Sequence, residues 1–299
     1  MNRFIIDGFN LLYRSHYAFQ KFSTSTGLLS GAIYGFFTTL RSLRKRFSNC
    51  KFYVAWDNEA VSKKAALPEY KANRVSSRIS LPINDLKSVL KGLSVVQVEC
   101  PNEEADDVIS SIVFQSNSGI DYIYSSDKDL LQLVRDGKVV VVSPKVGAIP
   151  EKFYDEGAIK AKWGVGPIDL ACLFAFKGDS SDNIPGTSVP SKVLASLSSK
   201  YKNLETVYSN LSAEKLTDFQ KKALIDNRNQ VFLNYSIILL KNNLDCVHIE
   251  GKSDPEKLKT IFDKYEIKTL SPESFVEMFD SDTVFLHRTN PCLKTVSMF

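Results

Sequence analysis

Five short clusters of carboxylates are distributed over the first two thirds of this 299-residue chain. Their members are Asp7, Asp57, Glu104, Asp106, Asp107, Asp127, Asp129, Asp179 and Asp182. At least three clusters close a short apolar run with strand character, such as Phe4–Ile6 before Asp7 and Phe52–Trp56 before Asp57. Because the carboxyl ends of parallel strands share one edge of an open sheet, these acids are predicted to meet there. So many anions share a site only with cations, which indicates a divalent metal.

The first 150 residues alternate strand-like and helix-like segments. For example, Gly31–Phe47 carries apolar residues close to a 3.6-residue period. Such alternation is typical of βαβ units and predicts an α/β fold with a mostly parallel sheet and helices on both faces. From about residue 150 the patterns are mainly helical, with one late strand at Cys246–Ile249. We expect a core over residues 1–175, a helical unit over 176–285 and a tail over 286–299.

The composition excludes several classes of protein. Hydrophobic residues make up 43% and charged residues 24%, which is ordinary for a soluble globular protein. No run approaches the roughly 18–20 apolar residues that span a bilayer, and the N-terminus lacks the apolar stretch of a signal peptide. Five scattered cysteines, never spaced CxxC, argue against a disulfide framework and a zinc site. We therefore expect a protein of the reducing cytoplasm.

The segment 58–82 is strongly basic. Two acids accompany five basic residues, which are Lys63, Lys64, Lys71, Arg74 and Arg78. Its apolar periodicity is weak and it is long for a crossover, so we expect a functional loop or arch above the sheet edge. A solvated surface insertion is the alternative. The net charge is only +4, but with the clustered acids neutralised by metal the remainder becomes strongly basic, which suits a polyanionic substrate. An ordinary charged surface is again the alternative.

Each acidic cluster alone has a simpler explanation. Acids at Glu104–Asp107 would stabilise the first turn of a predicted helix, and the sequences around Asp127 and Asp179 are turn-like. Their order along the chain and their placement after strands favour a site for Mg²⁺ or Mn²⁺, which prefer carboxylate oxygens. Two such ions can clamp the attacking and leaving oxygens of a phosphodiester. No GxSxG, Walker A or GxGxxG motif is present, which disfavours serine hydrolysis, P-loop and dinucleotide chemistry.

Six segments, in this order along the chain, carry a family resemblance: IIDGFNLLYR (5–14), VAWD (54–57), LPEYKANR (67–74), EADDVIS (104–110), SSDKDLLQLV (125–134) and FKGDSSDNIPG (176–186). The chain resembles the 5′-nuclease family, which includes the 5′→3′ exonuclease domain of bacterial DNA polymerase I and stand-alone phage exonucleases and flap endonucleases. The resemblance implies a PIN-like sheet, a basic arch and a C-terminal helix-hairpin-helix-type subdomain that binds duplex DNA. No polymerase domain follows, which implies a stand-alone, phage-type enzyme of the host cytoplasm.

The resemblance also implies roles position by position. A first metal cluster would comprise Asp7, Asp57, Glu104, Asp106 and Asp107, and a second Asp127, Asp129, Asp179 and Asp182. Lys71 and Arg74 match arch residues that polarise the scissile phosphate, and Arg14 matches a basic residue near the active site. Tyr70 is expected to stack on a displaced base. Further DNA contacts are expected from Lys63, Lys64, Arg78, Lys128, Ser191 and Lys192.

One segment departs from the family. Its members usually carry a glycine-rich hairpin whose backbone amides approach the duplex phosphates and often hold K⁺. Here Pro185–Lys192 lacks those glycines, and Pro190 removes one amide donor. Lys192 and the Ser191 hydroxyl are expected to meet a phosphate instead, and the changes argue against a K⁺ site.

We expect a structure-specific 5′→3′ exonuclease and flap endonuclease that cleaves DNA, or RNA primers paired to DNA, by two-metal-ion catalysis. Its expected partners are DNA with a 5′ end, flap or nick, RNA–DNA hybrids and replication proteins, and it is expected to be a monomer that binds no membrane. One alternative is a non-catalytic protein that binds branched DNA, although such a protein has no use for nine acids facing a polyanion. The other is a PIN-type ribonuclease, which usually has fewer acids and no long helical C-terminal part.

Overall fold

A seven-stranded sheet forms the centre of the protein in a computed structural model that describes residues 1–73, 81–115 and 117–280. Its strands are β1 (Asn2–Asp7), β2 (Cys50–Trp56), β3 (Val95–Glu99), β4 (Asp121–Tyr124), β5 (Val139–Ser143), β6 (Lys152–Tyr154) and β7 (Val247–Glu250). They lie in the order β6-β5-β4-β1-β2-β3-β7, with the five inner strands parallel and the two edge strands antiparallel. The predicted α/β fold with a mostly parallel sheet is confirmed.

The helices of the described residues lie on both faces of the sheet. They are α1 (Gly8–Ala18), α2 (Gly31–Arg46), α3 (Val61–Ala66), α4 (Ile83–Leu90), α5 (Ala105–Phe114), α6 (Glu156–Trp163), α7 (Leu170–Lys177), α8 (Ser191–Tyr201), α9 (Leu204–Asn210), α10 (Asp218–Asp226), α11 (Arg228–Ile238), α12 (Pro255–Lys264) and α13 (Pro272–Asp280). Among these residues no helix is both long and apolar enough to cross a membrane.

Alternate residues of the central strands enter two separate cores. In β1 the side chains of Phe4 and Ile6 belong to a core with α1, α2, α4, α12 and α13, whereas Ile5 belongs to a core with α5, α7, α8, α9 and α11. The parallel register pairs Phe4 with Phe52 of β2, and their rings stack at 5.0 Å between centroids. Because each strand is buried on both faces, its sequence is almost continuously apolar and ends at the carboxyl edge of the sheet. That edge is where Asp7 and Asp57 lie.

The C-terminal part of the described chain returns to the sheet, and the strand expected at Cys246–Ile249 is β7, Val247–Glu250. Strand β7 pairs antiparallel with β3, and α12 and α13 pack on α2. The Phe37 ring of α2 contacts Phe262 and Phe275 edge-on, at 5.1 and 5.5 Å between centroids. Amphipathic helices need an apolar partner, and these two bury their aromatic side chains against the core rather than against α7–α11.

Several local features differ from the expectations. Helix α3 lies inside the segment 58–82, and β6 and α9 were not predicted. These elements are short, between three and seven residues, and too short for a hydrophobic period to mark them. Arg74, Arg78 and the tail over 286–299 lie outside the described residues.

Candidate active site

Two acids lie at the ends of neighbouring central strands. Asp7 closes β1 and also caps α1, because its Oδ1 accepts a hydrogen bond from the Asn10 amide at 3.0 Å. Its Oδ2 accepts a second from the Ser125 hydroxyl at 2.9 Å. Asp57 follows β2, and its Oδ1 accepts from the Ala105 amide at 2.8 Å, which ties it to the start of α5. Strand ends and helix starts therefore hold both carboxylates in place.

Other acids reach the same edge from α5 and from the loop after β4. Glu104 precedes the first residue of α5, and Asp106 lies in its first turn. Asp127 follows β4, and its Oδ1 accepts a hydrogen bond from the Asp129 amide at 2.9 Å. A cavity of about 360 Å³ is lined by residues from all these segments: Asp7, Phe9, Asn10, Tyr13, Arg14, Tyr17, Asp57, Lys71, Glu104, Ala105, Asp106 and Asp127. The predicted meeting of distant acids at one sheet edge is what the structure shows.

Asp179 and Asp182 lie in the loop after α7. Asp179 lines a second cavity of about 600 Å³ together with Lys128, and the Lys128 ammonium is 2.8 Å from Asp179 Oδ2. Asp182 is buried, its carbonyl accepts the Lys71 amide at 3.0 Å, and its Oδ2 is 3.9 Å from the Lys71 ammonium. Lys71 thus connects this loop to the first cavity.

Burial and mutual repulsion raise the pKa of several of these acids. Burial, and then the charge of Asp57, raises the pKa of Asp7 to about 8. Burial also raises the pKa of Asp57 to about 6. The pKa values of Asp127 and Asp129 are raised by burial and by neighbouring carboxylates, Asp106 first for Asp127 and Asp127 first for Asp129. A site that holds its acids at this energetic cost is one that a cation would stabilise.

Glu104 behaves in the opposite way. Although burial opposes it, the charges of Lys63 and Lys71 lower the pKa of Glu104 to about 2. The Lys63 ammonium is 2.9 Å from Glu104 Oε2, and the Lys71 ammonium donates to Glu104 Oε1. Two positive charges therefore keep this carboxylate ionised.

Two of the residues predicted to contact DNA are buried in this structure. Lys63 is 5% exposed and points into the acids rather than toward solvent. Tyr70 is also 5% exposed, and its hydroxyl donates to Glu104 Oε2 at 2.9 Å, so its ring has no free face for a displaced base. Neighbouring protein atoms provide packing and hydrogen-bond partners for both side chains, and a sequence pattern does not reveal such burial.

Asp107 does not line either cavity and has no exposed surface. Its Oδ1 accepts a hydrogen bond from the Lys241 amide at 2.8 Å, and its Oδ2 forms an ion pair with Lys63 at 3.0 Å. Both oxygens of Asp107 thus contact protein groups in this structure, and its expected role as a metal ligand stays a prediction. Lys241 is a residue that the sequence pattern did not indicate.

The donor set suits hard divalent cations, since the cavity acids offer only carboxylate oxygens. Across residues 1–73, 81–115 and 117–280, no group of three or more His, Cys, Asp or Glu side chains has the spacing of a metal site. Ammonium groups of Lys63, Lys71 and Lys128 lie among the acids instead. The carboxylates fit a metal by their chemistry and their raised pKa values, and the lysines hold part of the balancing charge.

The remaining predicted basic residues lie around the two cavities and on α8. Arg14 lines the first cavity, and its Nη2 donates to the Lys145 carbonyl at 2.7 Å. Lys64 is exposed and pairs with Glu59 at 3.1 Å. Ser191 and Lys192 are exposed in the first turn of α8, where no side chain caps the helix.

The turn before α8 packs tightly despite lacking the family's hairpin glycines. A Cβ at Gly186 would lie 2.1 Å from the Lys177 carbonyl oxygen, so only glycine fits there. The buried Asn234 amide of α11 donates to the carbonyls of Ala175 and Pro185, at 2.8 and 2.7 Å. Asn234 was not indicated by the sequence pattern, because a single polar residue in an apolar helix does not reveal its partners.

Comparison with known proteins agrees with this geometry. Residues 2–164, more than half of the chain, match the model of the 5′-3′ exonuclease N-terminal resolvase-like domain. A 5′-3′ exonuclease of Aquifex aeolicus is 34% identical over 283 residues, which cover 90% of this chain and 94% of that relative. DNA polymerase I of Caldicellulosiruptor bescii is 32% identical over 241 residues, 78% of this chain and 28% of the polymerase.

Two solved structures have the same fold. The bacteriophage T5 D15 flap endonuclease, in a complex with DNA and metal ions, aligns with a TM-score of 0.62 and 18% identity over 93% of this chain and 97% of that chain. The catalytic core of Rad2 with a DNA substrate aligns with a TM-score of 0.55 and 15% identity, over 93% and 90%. Because the family model covers more than half of the chain and the Aquifex aeolicus exonuclease is 34% identical over most of it, the chain belongs to the 5′-nuclease family of 5′→3′ exonucleases.

Proposed function

We propose that this 5′ nuclease is a metal-dependent, structure-specific 5′→3′ exonuclease and flap endonuclease that acts on DNA. The observation that carries the proposal is the single cavity in which Asp7, Asp57, Glu104, Asp106 and Asp127 meet, although they come from four separated segments. The T5 flap endonuclease complex with DNA and metal ions supports the choice of substrate and cofactor.

Divalent metal ions would be held by the cavity acids and by the neighbouring Asp129, Asp179 and Asp182. We propose two ions, Mg²⁺ in the first place with Mn²⁺ as a substitute, because eight carboxylates exceed what one hard cation needs. Bound there, the ions would supply a hydrolytic nucleophile at neutral pH and offset charge on the phosphodiester. At neutral pH without such ions, the raised pKa of Asp7, about 8, leaves that carboxyl largely protonated.

Lys71 is placed to orient the scissile phosphate. Its side chain lines the first cavity, its amide donates to the Asp182 carbonyl at 3.0 Å, and its ammonium lies 4.8 Å from the centre of the Tyr70 ring. The backbone at Lys71 has a φ of +57°, which the hydrogen bond to Asp182 helps to hold. We propose that Lys71 exchanges its ion pair with Glu104 for one with the phosphate, assisted by Arg14 and by Arg74.

Duplex DNA would then extend from the cavity toward α8. Lys128 beside Asp179, with the exposed Ser191 and Lys192 at the start of α8, gives a path of donors for phosphates. Lys64 and Arg78 would add charge from the basic segment. No K⁺ ion is invoked at the turn before α8.

A panel of 5′-labelled substrates tests the proposal. The panel comprises a 5′ flap, a nicked duplex, a single strand and an RNA–DNA hybrid, each with Mg²⁺ or with chelator, read at nucleotide resolution. We expect cleavage of the flap near its junction and release of short 5′ products from the nick, both lost with chelator. Cleavage of RNA alone would favour a PIN-type ribonuclease, and tight flap binding without cleavage in Mg²⁺ would favour a branched-DNA-binding protein.

A further inference from the structure

Lys63 brings one positive charge to three carboxylates inside the protein. Its Nζ is 2.9 Å from Glu104 Oε2, 3.3 Å from Asp106 Oδ2 and 3.0 Å from Asp107 Oδ2. The lysine side chain is 5% exposed, and the side chain of Asp107 is fully buried. A long cationic side chain seldom lies so deep unless its charge is fully compensated.

The local backbone holds Lys63 in this position. Lys63 lies in helix α3, whose first and last turns are closed by backbone hydrogen bonds from the Lys64 amide to the Ala60 carbonyl at 3.0 Å and from the Leu67 amide to the Lys63 carbonyl at 2.9 Å. The Asn58 amide donates to the Glu103 carbonyl at 2.9 Å, which ties the start of the segment to the start of α5. With its side chain 5% exposed and three carboxylates within 3.3 Å, the ammonium is part of the site and not a surface charge.

The three carboxylates face in different directions. Glu104 and Asp106 line the first cavity, whereas Asp107 lies behind them and accepts the Lys241 amide at 2.8 Å. The Lys63 ammonium therefore lies between the cavity acids and a buried carboxylate.

We propose that Lys63 is a positioning residue that serves as a permanent internal cation, with Asp107 as its own counter-ion on the side away from the cavity. It holds Glu104 and Asp106 in the metal-free protein and reduces the negative charge that divalent ions must neutralise. The inference rests on the proposed metal-dependent function, because it concerns how strongly the cavity attracts those ions. It gives Lys63 no contact with substrate.

Opposite effects follow from removing the two members of this pair. Lys63→Met removes a positive charge close to the ions, so Mn²⁺ should bind more tightly, with the half-saturating concentration lowered about tenfold or more. Asp107→Asn leaves the lysine charge less compensated, so the half-saturating Mn²⁺ concentration should rise. In the double variant the two changes should largely cancel, because both members of the ion pair are gone.

Thermal unfolding of the full chain during Mn²⁺ titration measures this directly. We expect Lys63→Met to have a lower Tm than the wild type in chelator and a larger rise in Tm on Mn²⁺ addition. Lys63→Arg, which keeps the charge, should stay close to the wild-type titration. Lys64→Met is the matched control, since Lys64 is the adjacent, exposed lysine of the same helix and pairs only with Glu59 among the contacts described for it; its half-saturating Mn²⁺ concentration should not change.

Unchanged or weaker Mn²⁺ binding in Lys63→Met would overturn the inference, as would failure of the double variant to recover. If Lys63→Met does not fold in chelator, Asp107→Asn and the double variant still decide the question, because the single variant should bind Mn²⁺ more weakly than the wild type and the double variant should bind it about as tightly. Wild-type protein that Mn²⁺ neither stabilises nor activates on a 5′ flap would instead contradict the proposed function. If Mn²⁺ stabilises and activates the wild type but binds no more tightly to Lys63→Met, only the inference about Lys63 is contradicted.

Discussion

At the scale of single residues, burial makes the acids of the sheet edge respond to pH differently from exposed acids. The pKa values of Asp7 and Asp57 are raised by burial to about 8 and about 6, whereas Lys63 and Lys71 lower that of Glu104 to about 2 against its burial. A carboxylate with a raised pKa binds its proton more tightly in the folded state than in the unfolded chain. Folding is therefore penalised wherever the unfolded group has already lost its proton.

This linkage predicts how the metal-free protein responds to pH. From its ordinary value of 3.8 up to about 8, Asp7 is deprotonated earlier in the unfolded chain, so its contribution lowers the free energy of unfolding as pH rises. Asp7→Asn removes that contribution, so the variant should gain stability relative to wild type with increasing pH and level off above about 8. Urea unfolding in chelator at several pH values measures the difference. A difference that does not vary with pH would contradict the assigned burial of Asp7.

The residues that the sequence did and did not predict differ in one physical respect. Asp7 and Asp57 follow apolar strands, and the parallel sheet alone brings such positions together. The burial of Lys63, Tyr70 and Asp107 was not predicted, because it depends on the direction in which a side chain leaves a short helix or a first turn. Nothing in a run of charged residues distinguishes a buried ion pair from a solvated one.

At the scale of elements, the loop between α7 and α8 is held by close backbone packing. Gly186 lies against the Lys177 carbonyl, and Asn234 of α11 bonds to the carbonyls of Ala175 and Pro185. This packing positions Asp179 and Asp182 beside the cavity while α8 presents its first turn to solvent. The loop is therefore held in place by close packing, although it lacks the hairpin glycines that are usual in the family.

Substitution of one glycine tests this packing. Gly186→Ala would force a Cβ to within 2.1 Å of a backbone oxygen, so the loop must shift, and we expect a loss of roughly 2 kcal/mol or more in the free energy of unfolding. Gly157→Ala in α6 is the control, because its Cβ would meet only the Asp155 side chain at 3.4 Å. That change should be neutral or stabilising by about 0.5–1 kcal/mol, as for glycine to alanine in helices. Equal effects of the two substitutions in urea unfolding would refute the packing argument.

The pairing of β7 with β3 makes a further prediction about two free cysteines. The antiparallel register pairs Glu99 with Val247, so the next step places Cys100 opposite Cys246. The Gly251 amide donates a hydrogen bond to the Val95 carbonyl, so Val95 and Gly251 form a hydrogen-bonded pair of the ladder. Hydrogen-bonded and non-hydrogen-bonded pairs alternate along an antiparallel ladder, which makes Cys100 and Cys246 a non-hydrogen-bonded pair, where side chains approach most closely. That spacing is compatible with a disulfide.

Oxidation of Cys100 and Cys246 tests the register between β3 and β7. Excess small-molecule disulfide should convert the two thiols to a Cys100–Cys246 bond, with loss of two hydrogens from the protein and release of two small thiols. We expect a higher Tm, because the bond closes a long loop in the unfolded chain. Peptide mapping identifies the link, and Cys246→Ser should abolish it. Native protein that never forms this bond, while its thiols react individually, would be inconsistent with the β3–β7 register.

At the scale of the whole molecule, one sheet edge collects the chemistry and both sheet faces support it. The alternation of strand-like and helix-like segments predicted the sheet. A parallel strand that is covered by helices on both faces has an almost continuously apolar sequence, which made these strands recognisable. The return of β7, α12 and α13 to the sheet was not predicted, because amphipathic helices do not indicate which surface they cover. Phe37 illustrates the point: its partners Phe262 and Phe275 lie more than 200 residues away in the chain.

The proposed activity requires that the convergent acids bind divalent ions and that these ions allow a 5′ flap to be cut. The most direct measurement is single-turnover cleavage of a 5′-labelled flap over a Mg²⁺ titration, for wild type and Asp57→Asn. We predict cleavage by wild type that rises with Mg²⁺ and disappears with chelator, and a fall of roughly a hundredfold or more in the variant at saturating Mg²⁺. Cleavage by wild type in chelator, or an Asp57→Asn variant as fast as wild type, would contradict it.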